Sequence, residues 1–156
     1  MTASTSPSAR TSTAGAGRVL VVVYAILALA ATGRSFYQIV SEFDEAPVAY
    51  TLSAVAAVVY ILATVALVAP GETWRRVALV TIGFELVGVL VVGTMSLVVP
   101  ELFAHASVWS WFGMGYLFIP LVLPVLGLLY LTRRGRVGRS NPVAGATPSA
   151  GSGREA

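Results

Sequence analysis

The 156-residue chain contains no cysteine. Disulfides, thiolate nucleophiles and thiolate metal sites are therefore excluded, whichever compartment its loops face. It has no lysine either: all ten cationic residues are arginine, a bias expected of GC-rich coding rather than of binding. A single histidine, His105, rules out bis-histidine haem ligation, and no metal site or other cofactor is expected. GxSxG, HExxH and P-loop motifs are missing, and "FGMGY" lacks both the rest of a dinucleotide fingerprint and a preceding strand. No catalytic residue is expected. Charged residues make up only 11% of the chain, and their net charge of +3 comes from arginines that flank apolar segments, so no nucleic-acid surface is formed.

What remains is hydrophobic. Apolar residues are 56% of the sequence and the mean hydropathy is +0.82, which places the chain among membrane proteins. A bilayer core of about 30 Å needs about 20 apolar residues in a helix. Four segments qualify, at 19–40, 47–68, 77–99 and 107–131. The expected fold is all-α: four transmembrane helices in an antiparallel bundle covering residues 18–132, because short connections make sequence neighbours into spatial neighbours. The first segment has a rival reading as a cleaved signal peptide, with Ala28 to Ala30 as the small-residue site, but its apolar pattern resumes at Phe36, Tyr37, Ile39 and Val40.

Arginine counts set the orientation. Arg10 and Arg18 precede the first span, Arg75 and Arg76 lie between the second and third, and Arg133, Arg134, Arg136, Arg139 and Arg154 follow the fourth. The other side carries Glu42, Asp44, Glu45, Glu101 and His105 without an arginine. Both termini are expected in the cytoplasm of a bacterium, with the chain multi-pass in its inner membrane. Trp74 and Tyr130 at one interface and Trp109, Trp111 and Phe112 at the other read as interfacial anchors. Arg75, Arg76, Arg133, Arg134 and Arg136 would face lipid headgroups on the cytoplasmic side. Residues 1–17 and 133–156, rich in Ser, Thr, Ala, Gly and Pro, read as disordered tails, the second beginning with the basic "RRGR".

Within "ALVTIGFELVGVLVVG" sits Glu85. Fourteen Leu, Ile, Val and Phe residues in the third span, each contributing about −0.3 to −0.6 kcal/mol, outweigh a penalty of about +3 kcal/mol for one charged group, so the helix inserts. The side chain still needs a partner. Helical spacing puts Ala78, Thr81, Gly88, Gly93 and Ser96 on its side, with Ile82, Val89 and Val92 nearby, so Glu85 is expected to face the other helices. Arg34 is the second intramembrane charge, on a face with Ala30, Tyr37, Gln38 and Ser41. At 1.5 Å per residue it lies about 22 Å into its span and Glu85 about 12 Å into its own, which disfavours a direct pair. The outer acids are the competing partners for Arg34. Thr81, Ser96 and Gln38 complete the candidate polar site. Pro120 and Pro124 are expected to kink the fourth helix near mid-bilayer.

The stretches "GRSFYQIVSEFDEAPVAYTLSAVAAVVYILATVAL", "FELVGVLVVGTMSLVVPELF" and "VWSWFGMGYLFIPLVLPVLGLLYL" resemble a family of small, uncharacterised four-span membrane proteins of GC-rich actinobacteria. The resemblance implies four spans in an inner membrane and carries no activity. Four-helix small multidrug carriers share the size and a membrane glutamate, but theirs lies in the first helix. The function expected from sequence is a non-enzymatic small subunit, scaffold or envelope-associated factor in the lipid bilayer, with a membrane-protein partner or a second copy of itself. The alternative is a proton- or cation-coupled carrier in which Glu85 titrates.

Overall fold

A computed structural model of the chain describes residues 10–103 and 105–137, with side chains over 15–103 and 105–135. Among the described residues the chain forms four α-helices: α1 (Arg10–Ser41), α2 (Pro47–Val68), α3 (Glu72–Val98) and α4 (Ile119–Val137). Short 3-10 turns occupy Phe43–Glu45 and Pro100–Phe103, and a longer 3-10 stretch, Ser110–Tyr116, precedes α4. No strand occurs among the described residues. The chain is an all-α, polytopic membrane protein.

Local chemistry explains the helix starts. Pro47 opens α2, where a missing N–H costs no hydrogen bond. Gly71, at φ +110°, turns the chain into α3. Glu72 in the first turn of α3 accepts two hydrogen bonds from Arg75 (2.7 and 2.6 Å) and a longer one from Arg76 (3.4 Å), pinning the arginine-rich end of the bundle. Nearby, the Arg134 guanidinium lies 5.6 Å over the half-buried Tyr130 ring, while Trp74 is 39% exposed.

The α1–α2 hairpin is built on alanine. Ala28 and Ala31 of α1 and Ala49, Ala56, Ala57, Ala63 and Ala66 of α2 are buried, and small side chains let the two backbones approach closely. Large residues point the other way: Val22, Ile26, Leu29, Phe36, Val58, Val80, Val87 and Leu126 are exposed, as lipid-facing positions should be. On α3 the buried set is Ala78, Thr81, Ile82, Glu85, Val89, Val92, Gly93 and Ser96.

Three features differ from the sequence reading. Residues 10–17, read as tail, continue α1, because adding residues to a formed helix costs far less than starting one; likewise α4 runs on to Val137, past the expected limit at 131. Residues 1–9 and 138–156 of the expected tails lie outside the described residues. The largest difference is in the fourth span. Residues 107–131 are not one helix: Ser110–Tyr116 meets α4 at 97°, a broken span or re-entrant arrangement.

The break does not lie at the prolines. Pro120 is the second residue of α4, where it removes no helical bond, and only Pro124 is inside the helix. The chain turns instead at Leu117 (φ +54°) and Phe118 (φ +59°), both left-handed. Gly127 of α4 packs on Ile82 of α3 and Gly135 on Arg75, so the two helices run antiparallel. Extending that pairing sets Ile119 opposite residue 90 or so, about 12 Å short of the end of α3 at 1.5 Å per residue. Residues 107–118 fill the gap at the acidic end.

Candidate functional site

Glu85 is wholly buried at the centre of the bundle. Its Oε2 accepts a 2.7 Å hydrogen bond from the hydroxyl of Tyr24, which joins α3 to α1. Its Oε1 has no partner among the described residues. Tyr24 packs on Tyr60 of α2 with ring centroids 6.3 Å apart, and the Tyr60 hydroxyl accepts a 3.1 Å hydrogen bond from the Trp109 indole. One carboxylate, two phenols and an indole thus connect α1, α2 and α3 to the segment before α4.

Trp109 is only 2% exposed, so it is not the interfacial anchor read from sequence. Its ring lies where Gly88 has no side chain: a Cβ there would sit 2.8 Å from the indole. One turn further along, a Cβ at Gly93 would come within 2.6 Å of the Phe112 ring. These glycines let aromatic rings, rather than another helix, settle on α3. Trp111 is 39% exposed and its ring makes no such insertion.

Non-helical backbone inside a membrane must find hydrogen-bond partners in protein. Buried serines supply them. Ser53 of α2 accepts from the Val108 N–H at 3.3 Å, Ser96 of α3 accepts from the Trp111 N–H at 2.8 Å, and Ser107 and Ser110 accept from each other's backbone N–H at 2.9 and 3.1 Å. Even so the segment is strained: Trp111 (φ +54°) and Phe112 (φ +58°), like Leu117 and Phe118, are bulky residues in the left-handed region. Such conformations cost about 1–3 kcal/mol each and persist only where surrounding contacts enforce them.

Of the other candidate residues, Arg34 meets neither Glu85 nor the outer acids. It is half-buried, and its guanidinium donates a 2.6 Å hydrogen bond to the Ala106 carbonyl, bracing the entry to the segment before α4. Ser96 belongs to that segment's hydrogen bonding and not to Glu85's. Thr81 is buried one turn before Glu85. Gln38, also buried, lies at the acidic end, where its Oε1, the Ser35 hydroxyl and the Tyr50 hydroxyl are all without partners among the described residues. His105 lies 3.4 Å from Glu45 and packs on the Tyr50 ring at 5.9 Å. Among the described residues no group of acids and histidine is arranged to hold a metal ion. Arg133 and Arg134 are exposed, and the Arg136 side chain is outside the described residues.

Sequence reading missed Tyr24, Tyr60 and Ser53. A signal for the tyrosines was present: both fall deep inside their spans, away from the interfacial belts that tyrosine usually occupies.

Fold and site together define a multi-pass α-helical membrane protein with an occluded carboxylate. No family model, no curated protein and no solved structure matches the chain.

Proposed function

We propose that the chain is a non-enzymatic membrane protein of a bacterial inner membrane, acting as a small subunit or scaffold with both termini in the cytoplasm. The observation that carries this reading is the closure of Glu85. The side chain has no exposed surface, is tied to α1 by Tyr24, and is covered from the acidic end by Trp109. A carboxyl held in that way joins helices, as polar groups do in membrane interiors. The exposed apolar faces suit a lipid bilayer, a membrane partner or a second copy of the chain. The membership in an actinobacterial four-span family that the quoted stretches suggest fits the same role.

The test is proton flux in vesicles containing only the purified chain under an imposed pH gradient. The subunit reading expects decay of the gradient no faster than in empty vesicles. A faster decay that Glu85→Gln abolishes would overturn it in favour of the second reading, a proton- or cation-coupled carrier. Two observations favour that alternative: the unpartnered Glu85 Oε1, and a fourth span broken next to it, an arrangement transporters use to build ion sites.

A further inference from the structure

Three features converge on one side of Glu85. Its Oε1 is fully buried and unpartnered, although a protonated carboxyl would carry a donor there. A buried group without a partner calls for a specific cause, an exchangeable ligand among them. The Tyr60 hydroxyl accepts from Trp109 and has no recorded acceptor for its own hydrogen among the described residues. Above both lies a segment whose backbone leaves the α-helical pattern for kinked 3-10 turns. It rests on side-chain hydroxyls from α2 and α3, with three left-handed residues at its middle, Trp111, Phe112 and Gly113, and two more at its hinge with α4.

We infer that residues 107–118 are a hinged plug over Glu85, and that Glu85 is a proton-binding site that exchanges with the acidic side of the membrane when the plug lifts. The plug is the part of the bundle suited to opening. Lifting it breaks the Tyr60–Trp109 bond and the contacts to Ser53 and Ser96, and withdraws two rings from Gly88 and Gly93, while α1, α2 and α3 keep every helical bond. It also lets Leu117 and Phe118 leave the left-handed region, which offsets part of the lost contact. Elements outside the regular α-helices, seated by a few side-chain contacts, open at the low end of a protein's free-energy scale. The arginine-rich side has no comparable route, because there α3 and α4 pack as regular helices with Gly127 against Ile82.

The ionisable groups around the site are few. Tyr24 faces Glu85 from α1, Tyr60 from α2 lies against Tyr24, and Tyr116 from the plug acts on Tyr60. α4 contributes glycine at the level of Tyr24. No arginine or second acid acts on Glu85 among the described residues, so the proton is the ligand this site has the chemistry to hold. In the exchange, the O–H proton of Glu85 leaves to solvent water and a solvent proton takes its place, with no change in net charge.

This inference goes beyond the subunit reading, which flux measurements test separately: a plug can admit water to Glu85 without any transport. The native chain has no cysteine, so a disulfide can be placed without background. A Cβ at position 93 would lie 2.8 Å from the Phe112 Cγ, itself one bond from the Phe112 Cβ. That leaves the two Cβ atoms at most about 4.3 Å apart, within disulfide reach. In the Gly93→Cys/Phe112→Cys variant in lipid, hydrogen–deuterium exchange of the Glu85 carboxyl is followed through its infrared C=O stretch, assigned by difference against Glu85→Gln. The oxidised protein is expected to exchange about tenfold or more slowly than the same protein reduced. Trp109→Phe, which loses the bond to Tyr60 and part of the ring seated on Gly88, is expected to exchange several-fold faster than wild type. Equal rates in the oxidised and reduced forms, no exchange in wild type over a day, or no protonated-carboxyl band at all would each overturn the proposal. Reduction serves as the folding control, since both states share one sequence.

Discussion

The α1–α2 hairpin and the plug at 107–118 face the same constraint, backbone polar groups inside a membrane, and meet it in opposite ways. The hairpin satisfies its N–H and C=O groups within each helix, leaving side chains free to be small, and its buried residues are largely alanine around the Tyr24–Tyr60 pair. The plug, bonded only in kinked 3-10 turns, leaves backbone N–H groups over, and four buried serines, on two helices and within the plug, serve it. Hydroxyls on the hairpin show the contrast: Thr64 merely donates back to the Tyr60 carbonyl four residues earlier, a group already engaged in its helix. One region is stable by regularity and the other by external support. Removing support should therefore matter in the plug and hardly at all in the hairpin.

The largest expected effect is loss of the plug's main anchor. Trp109→Ala deletes a buried ring from its seat on Gly88 and leaves Tyr60 without its donor. The expected destabilisation is about 3–5 kcal/mol in reversible unfolding from lipid or detergent. A loss below about 1 kcal/mol would mean that the segment does not rest on α3 as described.

Next come the serines. Ser53→Ala orphans a buried backbone N–H and Ser96→Ala a part-buried one, each at about 1–3 kcal/mol. Thr64→Ala on the hairpin should stay within about 0.5 kcal/mol. Equal costs at the three sites would erase the distinction between the two regions.

A change of sign sharpens it further. Leu117 is 84% exposed and left-handed, so Leu117→Gly gives up little packing and relieves strain; a gain of about 1 kcal/mol is expected. Leu62, exposed on the regular helix α2, should show the reverse, with Leu62→Gly costing about 1 kcal/mol. Thermal unfolding of the two variants beside wild type reads both signs at once.

Much of this architecture was legible in the sequence. The second span occupies 47–68 in the structure, because proline and a polar loop mark its start and "APG" its end. The stripe through Ala78, Glu85 and Ser96 follows from helical spacing alone. The plug did not show itself, and the reason is physical. Residues 107–118 carry no charged side chain and run straight into the apolar α4, so the two read as one span, and hydropathy registers composition without backbone conformation. Gly88 and Gly93 read as a helix–helix contact, because absent side chains look the same whether a helix or an aromatic ring fills the space. Only the pair Ser107 and Ser110 beside "WFGMGY" hinted that the backbone there needs hydroxyl partners.

The smallest effect concerns the bond at the centre. Tyr24→Phe removes a buried, charge-capable hydrogen bond at 2.7 Å, and in water such a loss would be severe. Within a membrane the comparison state also buries Glu85 and lets it find other partners, so interhelical hydrogen bonds there average about 0.6 kcal/mol and reach about 1.7 kcal/mol. A cost in that range is expected. Glu85→Gln, whose amide oxygen can still accept from Tyr24, should cost no more, while Glu85→Leu strands the Tyr24 hydroxyl and should cost at least as much as Tyr24→Phe. If Tyr24→Phe instead cost as much as Trp109→Ala, the carboxyl rather than the plug would be the keystone of the bundle. The two regions would then be supported from one point, with Glu85 holding the hairpin and the plug together.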